Sequence, residues 1–256
     1  MKKNKPRRNI EQTTLRKEEL KNIRTTISLT PCRTIFSRGK SIIWDMDGVL
    51  VDTTRYHYQS WLEILKGIRN DFSWEEFASS FGMRNDLIIP KVFKKECSKE
   101  EIVSIDRKKE FLFRELAKGK LKPLEGLINL LNLLKEDGFK MAVASSGTPE
   151  NVEMVIRECN LMSFFSALTN GSEVLHSKPD PEIFLLASEK LGIPPSRCVV
   201  VEDAPAGIQG AKSAGMKCIA ITSTHKKDSL ERADIIVDKF DHLNPKVFNE
   251  LIEFVL

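Results

Sequence analysis

Short apolar runs alternate with amphipathic helical stretches along most of this chain, and that alternation constrains the fold more than any other feature. Ser41–Asp45, Lys140–Ser145, Cys198–Glu202, Lys217–Thr222 and Asp234–Val237 read as strands, with Phe164–Thr169 a weaker sixth. Helical patterns lie between most of them, at Gly126–Asp137, Pro149–Cys159, Pro181–Leu191 and Ala206–Ala214. A strand that is apolar throughout is buried on both faces, and the intervening helices supply the two covers. A parallel sheet between helical layers is the expected outcome.

One stretch breaks the alternation. From Thr54 to about Lys122 the pattern is helical and carries no strand. Tyr58, Trp61, Leu62 and Leu65 recur at helical spacing. Ser73 with Glu76, and Ser98 with Glu101, have the spacing of a capping box. The fold class expected is α/β: a three-layer, Rossmann-like parallel-sheet core from 41–53 and 123–256, with an α-helical cap inserted at 54–122.

Charge separates a third segment. The chain of 256 residues has 40 Lys+Arg against 36 Asp+Glu, a net charge of +4. Residues 1–40 hold 12 of the basic residues and three glutamates, so the remainder is net −5. The basic surplus is therefore a tail on a mildly acidic body, and no nucleic-acid partner is expected for that body. The tail reads as a solvated, disordered extension; its Ser, Thr and Arg content also leaves organelle targeting open. No run approaches ~18 apolar residues, so no membrane partner is expected. Five scattered cysteines without a CxxC pair argue against a disulfide framework or zinc ribbon, and fit a cytoplasmic protein.

Chemistry gathers at the strand ends. The first strand runs into Asp45-Met46-Asp47-Gly48-Val49-Leu50-Val51-Asp52-Thr53. Carboxylates beside a buried strand are costly unless a partner compensates them, and a cation with a phosphate site would do so. Ligands of a parallel sheet sit beyond the carboxyl ends of its strands. The second strand ends in Ser145-Ser146-Gly147-Thr148 before a helix opened by Pro149, a place suited to an anion. Lys178 stands in a Pro-bracketed loop, Ser177-Lys178-Pro179-Asp180-Pro181. The fourth strand ends in Glu202-Asp203. Oxygen ligands from several strand ends suit Mg²⁺.

These four elements, in this order, resemble the signature motifs of the haloacid dehalogenase superfamily, over about 41–240. The branch containing β-phosphoglucomutase and small sugar-phosphate phosphatases, with a helical cap after the first motif, looks most similar. The resemblance implies Asp45 as the nucleophile and Asp47 as general acid/base. It implies that Ser145, Ser146 and Lys178 hold the phosphoryl group. Asp45, Asp47 through its carbonyl, Glu202 and Asp203 would arrange Mg²⁺. Within the insert, His57 falls where the family has its hinge, Arg84 in Gly82-Met83-Arg84 resembles a specificity loop, and Lys108 is a further expected contact. A charge run such as Arg107-Lys108-Lys109 otherwise reads as a solvated face. Asp52 is expected to cap the helix beginning near Thr54.

The function expected is a Mg²⁺-dependent phosphatase of a small phosphorylated metabolite, a sugar phosphate, working as a monomer through an aspartyl-phosphate. A β-phosphoglucomutase-type isomerase is the alternative, since it needs the same core residues. Dehalogenation is disfavoured because Asp47 is present. A non-catalytic interaction protein would have no need of Asp45, Lys178 and Asp203 together.

Overall fold

The computed structural model describes residues 39–253, so the basic extension expected over 1–40 lies outside the described residues except for its last two positions. Six strands form one parallel sheet: β1 (Ser41–Trp44), β2 (Lys140–Ala144), β3 (Ala167–Thr169), β4 (Cys198–Glu202), β5 (Lys217–Ile221) and β6 (Ile235–Val237). Their order is β3-β2-β1-β4-β5-β6. β1 is central, with Ile43 in register with Ala142 on one side and Val200 on the other. All six are the expected strands, most of them trimmed by a residue at an end. The weak sixth is the most altered. It keeps only three residues, because a 3₁₀ turn over Met162–Phe164 takes up its start.

Between β1 and β2 come α1 (Thr54–Leu65), α2 (Trp74–Ala78), α3 (Asn85–Phe93) and α4 (Lys99–Ala117). The rest of the sheet is interleaved with α5 (Leu127–Glu136), α6 (Pro149–Glu158), α7 (Glu182–Leu191), α8 (Pro205–Ser213) and α9 (Pro245–Glu253). Alternate side chains of each strand enter opposite layers. Ile42, Trp44, Val199 and Val201 pack with Leu130 and Leu134 of α5, Val155 of α6 and Phe248 of α9. Ile43, Ala142, Ala144 and Val200 pack with Phe184 of α7 and Ile208 of α8. Each buried Val, Ile, Leu or Phe among these contributes about 1.5–3 kcal/mol, so a strand buried on both faces is held from two sides.

The helices after β1 have an apolar cluster of their own, built on Trp61, Phe77, Phe81, Ile89 and Val92. Ser98 makes the full capping box with Glu101. Ser73 makes half of one: its hydroxyl accepts the Glu76 N–H, but Arg69 takes the Glu76 carboxylate. The helix it opens ends at Ala78. Asp52 accepts the Thr54 N–H at the start of α1. Among the described residues no helix is long and apolar enough to cross a membrane.

Candidate active site

Connections leave β1 and β4 towards opposite edges of the sheet, so a crevice opens beyond their carboxyl ends. Asp45 is the first residue past β1. Its N–H donates to the Val201 carbonyl of β4 at 3.0 Å, which fixes where its side chain emerges. Glu202 ends β4 and Asp203 follows. Asp45, Glu202 and Asp203 are all buried, and one oxygen of each lies within 4.8 Å of the others. Lys178, from the loop before α7, donates to Asp45 Oδ1, to Glu202 Oε1 at 2.7 Å and to the Ala144 carbonyl at 3.3 Å.

One lysine against three buried carboxylates leaves negative charge in excess. Burial pushes the Asp45 carboxyl up; Lys178 opposes this, Glu202 and Asp47 reinforce it, and the result is about 8. Burial, then Glu202 and Asp45, push Asp203 well above the usual carboxylate range. Lys178 would be lowered by burial, but Asp45 and Glu202 raise it. Close backbone approach accommodates the acids. Gly48, at φ +85°, would place a Cβ 2.1 Å from Asp203 Oδ2, and a Cβ at Gly207 would fall 1.7 Å from Glu202 Oε1. Glu202 Oε2 accepts the N–H groups of Asp203 and Ala204 at 2.8 and 2.9 Å, and the Thr224 hydroxyl donates to Asp203. Three hard oxygens with uncompensated charge in a cradle closed to a methyl group fit a small divalent cation.

Asp47 turns away from this cluster towards a cavity of about 300 Å³ that Asp45 also lines. Its Oδ1 accepts the Thr53 hydroxyl at 2.5 Å and faces His57 Nε2 at 3.5 Å. Burial would raise Asp47, but the His57 and Thr53 contacts outweigh it and hold the carboxyl below its ordinary value. His57 stacks on Phe113 at 3.8 Å and receives Lys109 Nζ at Nδ1 at 2.6 Å. An ammonium has only donors, so Nδ1 accepts and the ring proton sits on Nε2, towards Asp47. Lys109 is held in turn by Glu110 at 2.7 Å. Glu110 also accepts Asn85 from α3 and Asn151 from α6.

The structure brings Asp45, Asp47, His57, Lys178, Glu202 and Asp203 together. Ser146 lines the cavity with Gly147 and Thr148 beside the start of α6, and its buried hydroxyl has no hydrogen-bond partner. Ser145 lies behind them, its Oγ accepting the Gly147 N–H at 3.0 Å. Arg84 lines the opposite wall. Its guanidinium is engaged by Asp86 at 2.7 and 2.8 Å and by the carbonyls of Val174 and Leu175 at 3.0 and 3.1 Å. Lys108 is not brought in: it is exposed on α4, and the next residue, Lys109, occupies the cavity wall instead. A helix turns about 100° per residue, which separates the two.

Glu110 supplies a pH-dependent prediction. Burial alone would raise it, but Lys109, His57 and Asn151 bring it from 4.5 to about 2. The folded value lies below the unfolded one. Its contribution is therefore fully present above about pH 4.5 and disappears as the pH falls to about 2. Equilibrium urea unfolding should show wild type losing about 3 kcal/mol across that window relative to Glu110→Gln. Parallel pH profiles would show that Glu110 is not held as a buried anion.

Fold and site define an α/β protein of parallel-sheet type with acidic side chains gathered at the ends of its central strands. The chain belongs to the haloacid dehalogenase-like hydrolase family, whose model matches residues 42–221. It is 29% identical to the β-phosphoglucomutase of Bacillus subtilis over 227 residues, covering 82% of this chain and 94% of that protein. A crystal structure of a HAD hydrolase, family IA, variant 3, from Entamoeba histolytica is 31% identical, with a TM-score of 0.76, covering 84% of this chain and 99% of that one. A crystal structure of CbbY from Rhodobacter sphaeroides in complex with xylulose-(1,5)bisphosphate is 27% identical, with a TM-score of 0.72, covering 80% and 96%. Relatives of this chain thus include a phosphomutase and a protein that binds a phosphorylated sugar.

Proposed function

We propose that this chain is a Mg²⁺-dependent phosphatase of a small phosphorylated metabolite, with Asp45 as nucleophile. The observation that carries the reading is that Asp45 and Asp47 open together onto one cavity, while Lys178, Glu202 and Asp203 close the buried side of it. Lys178 holds Oδ1 of Asp45, which leaves the second carboxylate oxygen to attack phosphorus in line with the ester oxygen. The P–O bond to the leaving group breaks as Asp47, entering the cycle in its less populated protonated form, gives that oxygen its proton. Water then attacks the aspartyl-phosphate, gives a proton to Asp47 and frees phosphate and Asp45. The Ser146 hydroxyl and the start of α6 receive phosphoryl oxygens. Mg²⁺ held by Asp45, Asp203 and Glu202, with the Asp47 carbonyl, would neutralise phosphoryl charge.

The helices from Thr54 to Ala117 act as the cap over this site. His57 reaches Asp47 from them with Lys109 behind it, while Asn151 donates to Glu110 on the core side. All of these groups come from one chain, so the proposed site is complete within it.

The isomerase reading needs the same core. A mutase of this kind passes through a bisphosphate, so a cation must await the second phosphate. Two cations line the cavity, and both are engaged: Arg84 by Asp86 and the carbonyls of Gly171, Val174 and Leu175, Lys109 by Glu110. This favours hydrolysis. p-Nitrophenyl phosphate should release phosphate with Mg²⁺, lose that release in EDTA and regain it with excess Mg²⁺. β-Glucose 1-phosphate with a trace of the 1,6-bisphosphate should give no net glucose 6-phosphate; its accumulation without phosphate release would establish the isomerase instead.

A further inference from the structure

The cavity has two unlike ends. At the sheet stand Asp45, Asp47 and the Ser146 hydroxyl. The wall facing them is largely apolar, formed by Trp61, Phe77, Phe81, Met83 and Ile88. A polyol lying against such a wall would leave buried hydroxyls without partners, which is costly.

The few polar groups there are selective. The Ser80 hydroxyl already donates to the Phe77 carbonyl. Asn85 spends its amide hydrogens on Asp106 at 2.7 Å and Glu110 at 2.6 Å. Arg84 and Lys109 are matched by Asp86 and Glu110, so Asp106 leaves this wall with one acid in excess. Burial raises the Asp106 carboxyl, and Glu110 and Asp86 add to this against the Asn85 amide and Lys109, which lower it. A second phosphate or carboxylate would meet like charge in a confined space, whereas a hydrogen-bond donor would meet an acceptor.

We propose that the natural substrate is a phosphate monoester whose leaving group has an apolar ring or chain ending in a hydroxyl or ammonium, received by Asp106, and carries no second anionic group. The inference rests on the phosphatase reading and changes only the leaving group expected of it, from a sugar to a mainly apolar alcohol. It concerns specificity: Asp106 touches the far end of the substrate, not the reacting atoms.

Two esters of equal length separate the possibilities. Phosphotyramine ends in an ammonium, and phosphophloretate, the ester of the matching phenolic acid, ends in a carboxylate. Full-length enzyme should cleave phosphotyramine with kcat/KM at least about tenfold above phosphophloretate and glucose 6-phosphate. Asp106→Asn keeps the shape of the wall and should bring the amine-to-carboxylate ratio within about threefold of unity. A preference for phosphophloretate, glucose 6-phosphate or a bisphosphate would overturn the proposal, as would an unchanged ratio in Asp106→Asn. Acetyl phosphate, too short to reach this wall, reports on the underlying reading. If it is cleaved while the ester preference is reversed, only the specificity proposal fails. If neither it nor any ester yields phosphate, the phosphatase reading fails and the proposal with it.

Discussion

Asp45→Asn is expected to lower Mg²⁺-dependent phosphate release from p-nitrophenyl phosphate by about ten-thousand-fold, with no loss of folded stability. The amide has nearly the shape of the carboxylate, and its oxygen can still accept from Lys178. What it lacks is the nucleophilic oxygen. The stability half of the result follows from charge. The Asp45 carboxyl is pushed up to about 8 against an ordinary value of 3.8, so between those values the folded chain binds a proton that the unfolded chain does not. A folded value above the unfolded one means stability falls as the pH rises through this window. A neutral side chain removes that dependence. In EDTA at pH 8, Asp45→Asn should therefore melt at or above the wild-type temperature while being inactive. Retained turnover would show that another group attacks phosphorus. A variant both inactive and markedly less stable would show that the carboxylate has a structural role that the excess of buried acid argues against.

The residues at the sheet were legible because they break a local rule. Strands apolar on both faces run directly into Asp45, Asp47, Glu202 and Asp203, and a parallel sheet gathers its strand ends on one side whatever the loops do. The wall opposite was much less so. It depends on how α1 to α4 pack, and α3 carries an internal Pro90 that obscures its helical pattern. Lys108 and Lys109 look alike in a charge run. The signal that separates them is phase: Lys109 stands four residues after Ile105 and four before Phe113, on the buried stripe of α4. A lysine on an apolar stripe needs an acid, and Glu110 is the neighbour that supplies it. Asn151 and Thr224 carry no comparable mark. Their importance comes from meeting Glu110 and Asp203 across 41 and 21 residues of chain, which only the assembled fold reveals.

Lys178 should be the least replaceable residue of the site, for two separable reasons. It is the only cation in contact with Asp45 and Glu202 among the described residues, and it is as buried as they are. Truncating one member of such a cluster leaves the others charged and unpaired, so Lys178→Met should cost about 3–5 kcal/mol in EDTA. For a chain of this size that is a fall in Tm of roughly 6–20 °C. Turnover should fall by about a thousand-fold or more, because the phosphoryl group then meets Asp45 with no fixed positive charge beside it. Lost folding and lost catalysis would be confounded in that variant alone. Adding Glu202→Gln separates them: it removes one of the stranded charges while its amide oxygen can still accept the N–H groups of Asp203 and Ala204. Lys178→Met/Glu202→Gln should recover most of the Tm by calorimetry and none of the turnover. Recovery of turnover together with Tm would mean that Lys178 only balances charge for folding. Failure to recover Tm would mean that its hold on the Ala144 carbonyl and its packing over the Phe184 ring, 5.0 Å away, matter more than charge.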